Sequence, residues 1–150
     1  MFRRRLVADI GGIVTNFAVW TQPKPTSPGE QHFSVSPIWD YGYETLGDAY
    51  ANASHLRPYL FVRVTRFYSA CGRFDEIRVA YNQGVIEVIK SKGAEQWTTV
   101  LNSYLKDMAN VVREITREGG DLLRDIALHY QIESRASELW QAESHPEQEA

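Results

Sequence analysis

The residues with the most evident chemical potential stand near the start of the chain. The apolar run Leu6-Val7-Ala8 leads into Asp9, and the pair Gly11 and Gly12 follows after one intervening residue, Ile10. A carboxylate at the end of a strand can hydrogen-bond a turn, and glycines let a backbone come close to a neighbouring group such as a phosphate. The pattern therefore suits a backbone that approaches another group, such as a phosphate. The competing interpretation is a hairpin turn without a ligand.

Together with Phe17-Ala18, this segment resembles the first phosphate-binding hairpin of the sugar-kinase, actin and Hsp70 superfamily, and above all that of bacterial glucokinases. The resemblance covers residues 6–18. It implies that Asp9 orients a metal ion or water near a γ-phosphate. It also implies that Gly11 and Gly12 approach the phosphate oxygens. Asp9, Gly11 and Gly12 are candidate cofactor-binding residues only under this resemblance.

The segment also departs from that superfamily. Ile13 stands where the family has a hydroxyl residue, and Asn16 stands where glucokinases have an arginine. Nothing after Tyr68 resembles the family's second phosphate loop or its adenosine site. The resemblance therefore implies a degenerate fragment of a sugar-kinase-like ATPase domain, as one alternative for the function.

A second set of candidates interleaves basic and aromatic residues over residues 59–81. Arginines can hold phosphates while aromatic rings stack bases, which indicates a single-stranded nucleic-acid-binding surface as another alternative. Its candidate residues are Arg63, Arg66, Phe67, Arg73 and Arg78. The formal net charge of −3 argues against a general binder of phosphate backbones. Nucleic acid is therefore a partner that the sequence permits but does not favour.

Aromatic residues indicate a third function, protein binding. They make up 12% of the chain, and aromatic side chains dominate the energetics of protein interfaces. The candidate partner-binding residues, in the loop 37–43 and the helix 94–117, are Trp39, Tyr41, Tyr43, Trp97 and Tyr104. The favoured prediction is a non-enzymatic protein-binding domain. It acts as an accessory subunit, an adaptor, or an inhibitor or immunity-type protein, with another protein or a larger assembly as its partner.

The remaining reactive residues have no catalytic or metal-binding spacing. The histidines are scattered, and Cys71 is the only cysteine, which excludes a multi-cysteine zinc site and an internal disulfide. Nucleophile-elbow and Walker-type motifs do not occur in the sequence. We therefore expect no catalytic residue, no cofactor and no bound metal.

The location of the protein is predicted from its hydropathy and its N-terminus. No apolar run approaches the roughly 20 residues that span a bilayer, so we expect a soluble, cytoplasmic protein without a membrane partner. The basic run Arg3-Arg4-Arg5 leaves mitochondrial targeting as the alternative.

The elements that position these residues are predicted from hydrophobic periodicity. We expect a single α+β domain over residues 1–142, followed by a polar tail at 143–150. Its antiparallel sheet has about six strands, at residues 5–10, 13–22, 32–36, 59–68, 73–81 and 85–90. Glycines at 11–12, 72 and 84 make the turns. One helix at 41–53 lies between strands, and two C-terminal helices, separated by Gly119-Gly120, pack on one face of the sheet.

Overall fold

The computed structural model of the chain consists of long helices. It describes residues 2–25, 27, 32–38, 51–52, 55–91 and 95–144, and in these ranges it describes the side chains of residues 3–129. The helices are α1 (Phe2–Ala18), α2 (Pro58–Lys90) and α3 (Glu95–Ser144). No strand occurs in these ranges. The predicted α+β class and its antiparallel sheet are therefore wrong, and the described part of the chain is all-helical.

The predicted strands lie almost entirely within α1 and α2, except that 32–36 has no regular secondary structure. The spacing of the buried residues explains why helices form. Leu60, Val64, Phe67, Cys71 and Phe74 are all less than 5% exposed, and steps of three and four residues place them on one helical face. A strand would bury Val62 together with Leu60 and Val64, yet Val62 is 46% exposed.

α2 and α3 form an antiparallel helical hairpin that residues 91–94 connect. Gly84 near the end of α2 lies against Leu101 near the start of α3. At the other end of the hairpin, the hydroxyl of Tyr59 and the Nε2 atom of His129 are hydrogen-bonded. The pairing order is therefore reversed along the two helices, as in an antiparallel pair.

α1 packs against this hairpin and completes a three-helix arrangement. Asp9 contacts Tyr68, and the ring of Phe17 meets that of Phe74 edge to face at a centroid distance of 4.9 Å. The order of these contacts shows that α1 and α2 run in the same direction. The fully buried residues of α1, at steps of four and three, are Leu6, Ile10, Ile13 and Phe17.

α3 runs without a break through the glycine pair that was predicted to end a helix. A Cβ atom on Gly119 would lie 2.4 Å from Cγ2 of Val14 and 2.7 Å from Cε2 of Phe67. Nothing lies within 4 Å of the corresponding position on Gly120. Side chains of both α1 and α2 therefore pack closely against α3 at Gly119, and the predicted separation of two C-terminal helices at Gly119-Gly120 is wrong.

The other predicted turns are also helical. Gly72 and Gly84 lie inside α2, and a Cβ atom on Gly84 would lie 2.5 Å from Cδ2 of Leu101. The predicted helix 41–53 falls outside the described residues apart from 51–52. α3 extends to Ser144, beyond the predicted boundary at residue 142. In the described ranges, no helix is both long enough and apolar enough to cross a membrane.

Candidate functional site

Asp9 lies at the interface of α1 and α2, where the hydroxyl of Tyr68 donates a hydrogen bond to its Oδ2 atom at 2.5 Å. Gly11 and Gly12 are in the middle of α1, and the hydroxyl of Thr15 donates to the carbonyl of Gly11 at 2.8 Å. The glycine turn is not formed. Residues 9–12 therefore lack the hairpin geometry on which the implied phosphate contacts depend.

Burial controls the titration of the groups around Asp9. It raises the pKa of the Cys71 thiol to about 12, and the nearby charge of Asp9 raises it further. Burial also raises the pKa of Tyr68 far above its ordinary value, helped by the hydrogen bond to Asp9. A fully buried, protonated thiol is a poor nucleophile. Asp9, Tyr68 and Cys71 thus join α1 to α2 and present no reactive group.

The structure brings most of the predicted basic and aromatic residues to one place. Arg63, Arg66, Phe67 and Arg73 line a cavity of about 460 Å³ between α2 and α3. The cavity is also lined by Ser69, Ala70, Glu114 and Glu118. Phe67, however, is only 1% exposed, so its ring cannot stack a base. The predicted strands at 59–68 and 73–81 are parts of one helix, and the arginines share a helix face instead of a sheet.

Arg78 lies apart from that cavity and holds a different segment. Residues 32–38, which we call the strap, lie against α2. The amide of Val35 donates to Oδ1 of Asn82 at 2.8 Å, and Nδ2 of Asn82 donates back to the carbonyl of Val35 at 2.9 Å. Arg78 donates to the same carbonyl at 3.4 Å and pairs with Asp75 at 2.7 Å. The sequence analysis did not predict this contact.

Only part of the predicted aromatic surface can be placed. Trp97 and Tyr104 lie seven residues apart on one face of α3, where both are half-buried and pack against the core. Val100, between them, is 39% exposed. Three of the predicted partner-binding residues lie outside the described residues: Trp39, Tyr41 and Tyr43.

An exposed apolar stripe on the last third of α2 was missed by the sequence analysis. Val79, Ile86 and Ile89, which we call the α2 stripe, are 54%, 46% and 68% exposed. Steps of three and four residues place them on one helix face with Asn82. Phe33, on the strap that Asn82 holds, is 70% exposed and adds to the apolar surface. A helical interpretation of residues 79–89 would have revealed the stripe.

No protein family, curated protein or solved structure matches this chain. Among the described residues, no three His, Cys, Asp or Glu side chains are grouped so that they could hold a metal ion. The described fold belongs to the broad class of three-helix arrangements. The function is therefore inferred from the surfaces of this chain alone.

Proposed function

We propose that this chain is a non-enzymatic protein-binding subunit or adaptor that binds its partner through the α2 stripe. The observation that carries the proposal is the exposure of three large aliphatic side chains at helical spacing. Burying such a side chain contributes roughly 1.5–3 kcal/mol relative to leaving it in water. A partner surface that covers all three side chains would therefore be bound favourably.

The end of α2 has two apolar faces. Val85 and Val88 are 4% and 6% exposed and belong to the core of the bundle. Ile86 directly follows Val85 and Ile89 directly follows Val88, and both isoleucines are exposed. A helix that is apolar on several faces is typically covered on several sides. The bundle covers one face of α2, which leaves the α2 stripe for a second protein.

The strap extends this surface and defines the kind of partner that fits it. Phe33 adds an exposed aromatic ring beside the aliphatic α2 stripe, and exposed aromatic residues are typical anchors of protein interfaces. Asn82 is engaged by both backbone groups of Val35. The surface is therefore predominantly apolar, and a partner with an apolar helix face or a shallow apolar groove is complementary to it.

Site-specific photo-crosslinking tests this proposal. A photoreactive residue is placed at Ile89 and, as a matched control, at Leu128, which is 54% exposed on α3 at the other end of the hairpin. Both proteins are expressed in the native cells, irradiated, and resolved by mass. We expect one discrete adduct from Ile89 and none from Leu128. Adducts of equal yield from both positions, or none from Ile89, would contradict the proposal.

A charge substitution in the α2 stripe provides a second test of the same proposal. Ile86→Glu in the chain that carries the photoreactive residue at Ile89 should abolish the adduct, because a carboxylate in an apolar interface is costly. Leu128→Glu in the same background should leave it unchanged. The mass of the adduct identifies the partner: twice 17.2 kDa indicates a second copy of the chain, and any other mass indicates a different protein.

A further inference from the structure

The arginine-lined cavity lies on a different side of α2 from the α2 stripe. A helix turns about 100° per residue, so Arg66 and Arg73 are separated by about 140° around the helix from Val79 and Ile86. The cavity lies against α3, because Glu114 and Glu118 form part of its lining. It is therefore a separate surface, and its role does not depend on the proposed protein interface.

The charges around the cavity are nearly all paired. Three ion pairs surround it: Arg63 with Asp125, Arg73 with Glu114 at 2.7 Å, and Arg117 with Glu118 at 3.4 Å. Each carboxylate near the cavity thus has an arginine of its own. Arg66 is exposed, and among the described side chains it has no carboxylate within ion-pair distance. Arg66 is the cation that remains for a ligand.

The shape and the lining of the cavity indicate what the ligand is. Its volume of about 460 Å³ lies within the range of small-molecule sites, roughly 300–1,000 Å³. Ala70 and Phe67 close the floor of the cavity but are only 2% and 1% exposed, so the accessible apolar surface comes from the aliphatic parts of the other lining side chains. Ser69 supplies a hydroxyl on the turn that follows Arg66. The cavity therefore combines one available guanidinium group with aliphatic walls.

We propose that this cavity binds a small organic oxyanion, a carboxylate or a phosphate monoester. The charged group pairs with Arg66, whose planar guanidinium donates two parallel hydrogen bonds to either kind of oxyanion. The apolar body of the ligand lies along the aliphatic parts of the arginine side chains that line the cavity. A single anionic group fits better than a nucleic acid, because a chain of phosphates would also meet the carboxylates of Glu114 and Glu118.

The test is a titration followed by NMR of the arginine Nε–Hε groups. The probes are phenyl phosphate and benzoate, with inorganic phosphate as the probe without an apolar body, all at constant ionic strength set with sodium chloride. We expect saturable shifts centred on Arg66, with phenyl phosphate or benzoate binding at least threefold more tightly than inorganic phosphate. Whichever of the two organic probes saturates identifies the anion class.

Matched variants distinguish specific binding at Arg66 from nonspecific electrostatic attraction of the anions to the protein. Arg66→Gln should weaken binding at least tenfold. Arg113→Gln should leave binding unchanged, because Arg113 is an exposed arginine of α3 whose side chain bonds Asn110 and does not line the cavity. Glu118→Gln should strengthen binding several-fold by removing a competing carboxylate. Shifts that rise linearly at all arginines, equal loss in both arginine variants, or equal affinity for all three probes would overturn the proposal.

Discussion

Alanine substitutions at Gly119 and Gly120 of α3 should change the free energy of unfolding in opposite directions. Gly120→Ala should raise the free energy of unfolding by about 1 kcal/mol, because glycine has a lower helix propensity than alanine. Nothing lies within 4 Å of the new methyl group. This variant therefore measures the effect of backbone propensity alone.

Gly119→Ala adds the same methyl group where there is no room. Its Cβ atom would lie 2.4 Å from Val14 on α1 and 2.7 Å from Phe67 on α2. Overpacking a core costs typically about 1–3 kcal/mol, and a clash with two other helices belongs near the upper end. After the gain in propensity is subtracted, we expect a net loss of about 2 kcal/mol.

The two variants should therefore differ by about 3 kcal/mol in unfolding free energy. Urea unfolding followed by circular dichroism measures this difference, which corresponds to a midpoint shift of about 1.5 M if the urea dependence is about 2 kcal/mol per molar. Gly84→Ala should fall between them, since it meets only the flexible end of Leu101. Stabilisation of similar size by Gly119→Ala and Gly120→Ala would refute the close three-helix contact.

Two further changes test the strap and the buried thiol. Asn82→Leu should cost about 2 kcal/mol of stability, because it leaves the Val35 amide without a partner and the Val35 carbonyl with only the longer bond from Arg78. It should also accelerate hydrogen exchange of the Val35 amide, whereas the exposed neighbour substitution Gln83→Leu should not. Because burial raises the pKa of Cys71 to about 12, the folded state keeps this proton above pH 9 while the unfolded state loses it. Stability should therefore fall by up to about 1.4 kcal/mol per pH unit above pH 9. Urea unfolding should show that the free energy of unfolding decreases less between pH 8 and pH 10 for Cys71→Ala than for the wild type. Equal decreases would contradict the raised pKa of Cys71.

The predicted helix from residue 94 is found as the first part of α3, because its apolar residues follow a single period. Leu101, Leu105, Met108 and Ile115 are all fully buried, and no competing alternation occurs there. α2 was misinterpreted because Leu60, Val62 and Val64 also alternate as a strand would. Local strand propensity favours β-branched and aromatic residues, but packing over about nine helical turns outweighs it.

Glycines caused the second group of errors. A glycine either allows an unusual backbone conformation or makes room for a neighbouring helix, and the neighbour is not visible in a single sequence. Gly84 and Gly119 have the second role. The arginine set was recognised because Arg63, Arg66 and Arg73 are close in sequence and share a face on a helix. Their ion pairs with α3 required the fold, because those partners lie 41 and 62 residues away for Arg73 and Arg63.

The unequal lengths of the two helix connections indicate the order in which the helices assemble. A short connection at 91–94 joins α2 to α3, whereas residues 19–57 separate α1 from α2. Closing the longer loop costs more chain entropy, so we expect the hairpin to form first and α1 to dock last. Detachment of α1 is then the least costly partial opening of the native state, and it would expose Cys71 to thiol reagents before the hairpin unfolds.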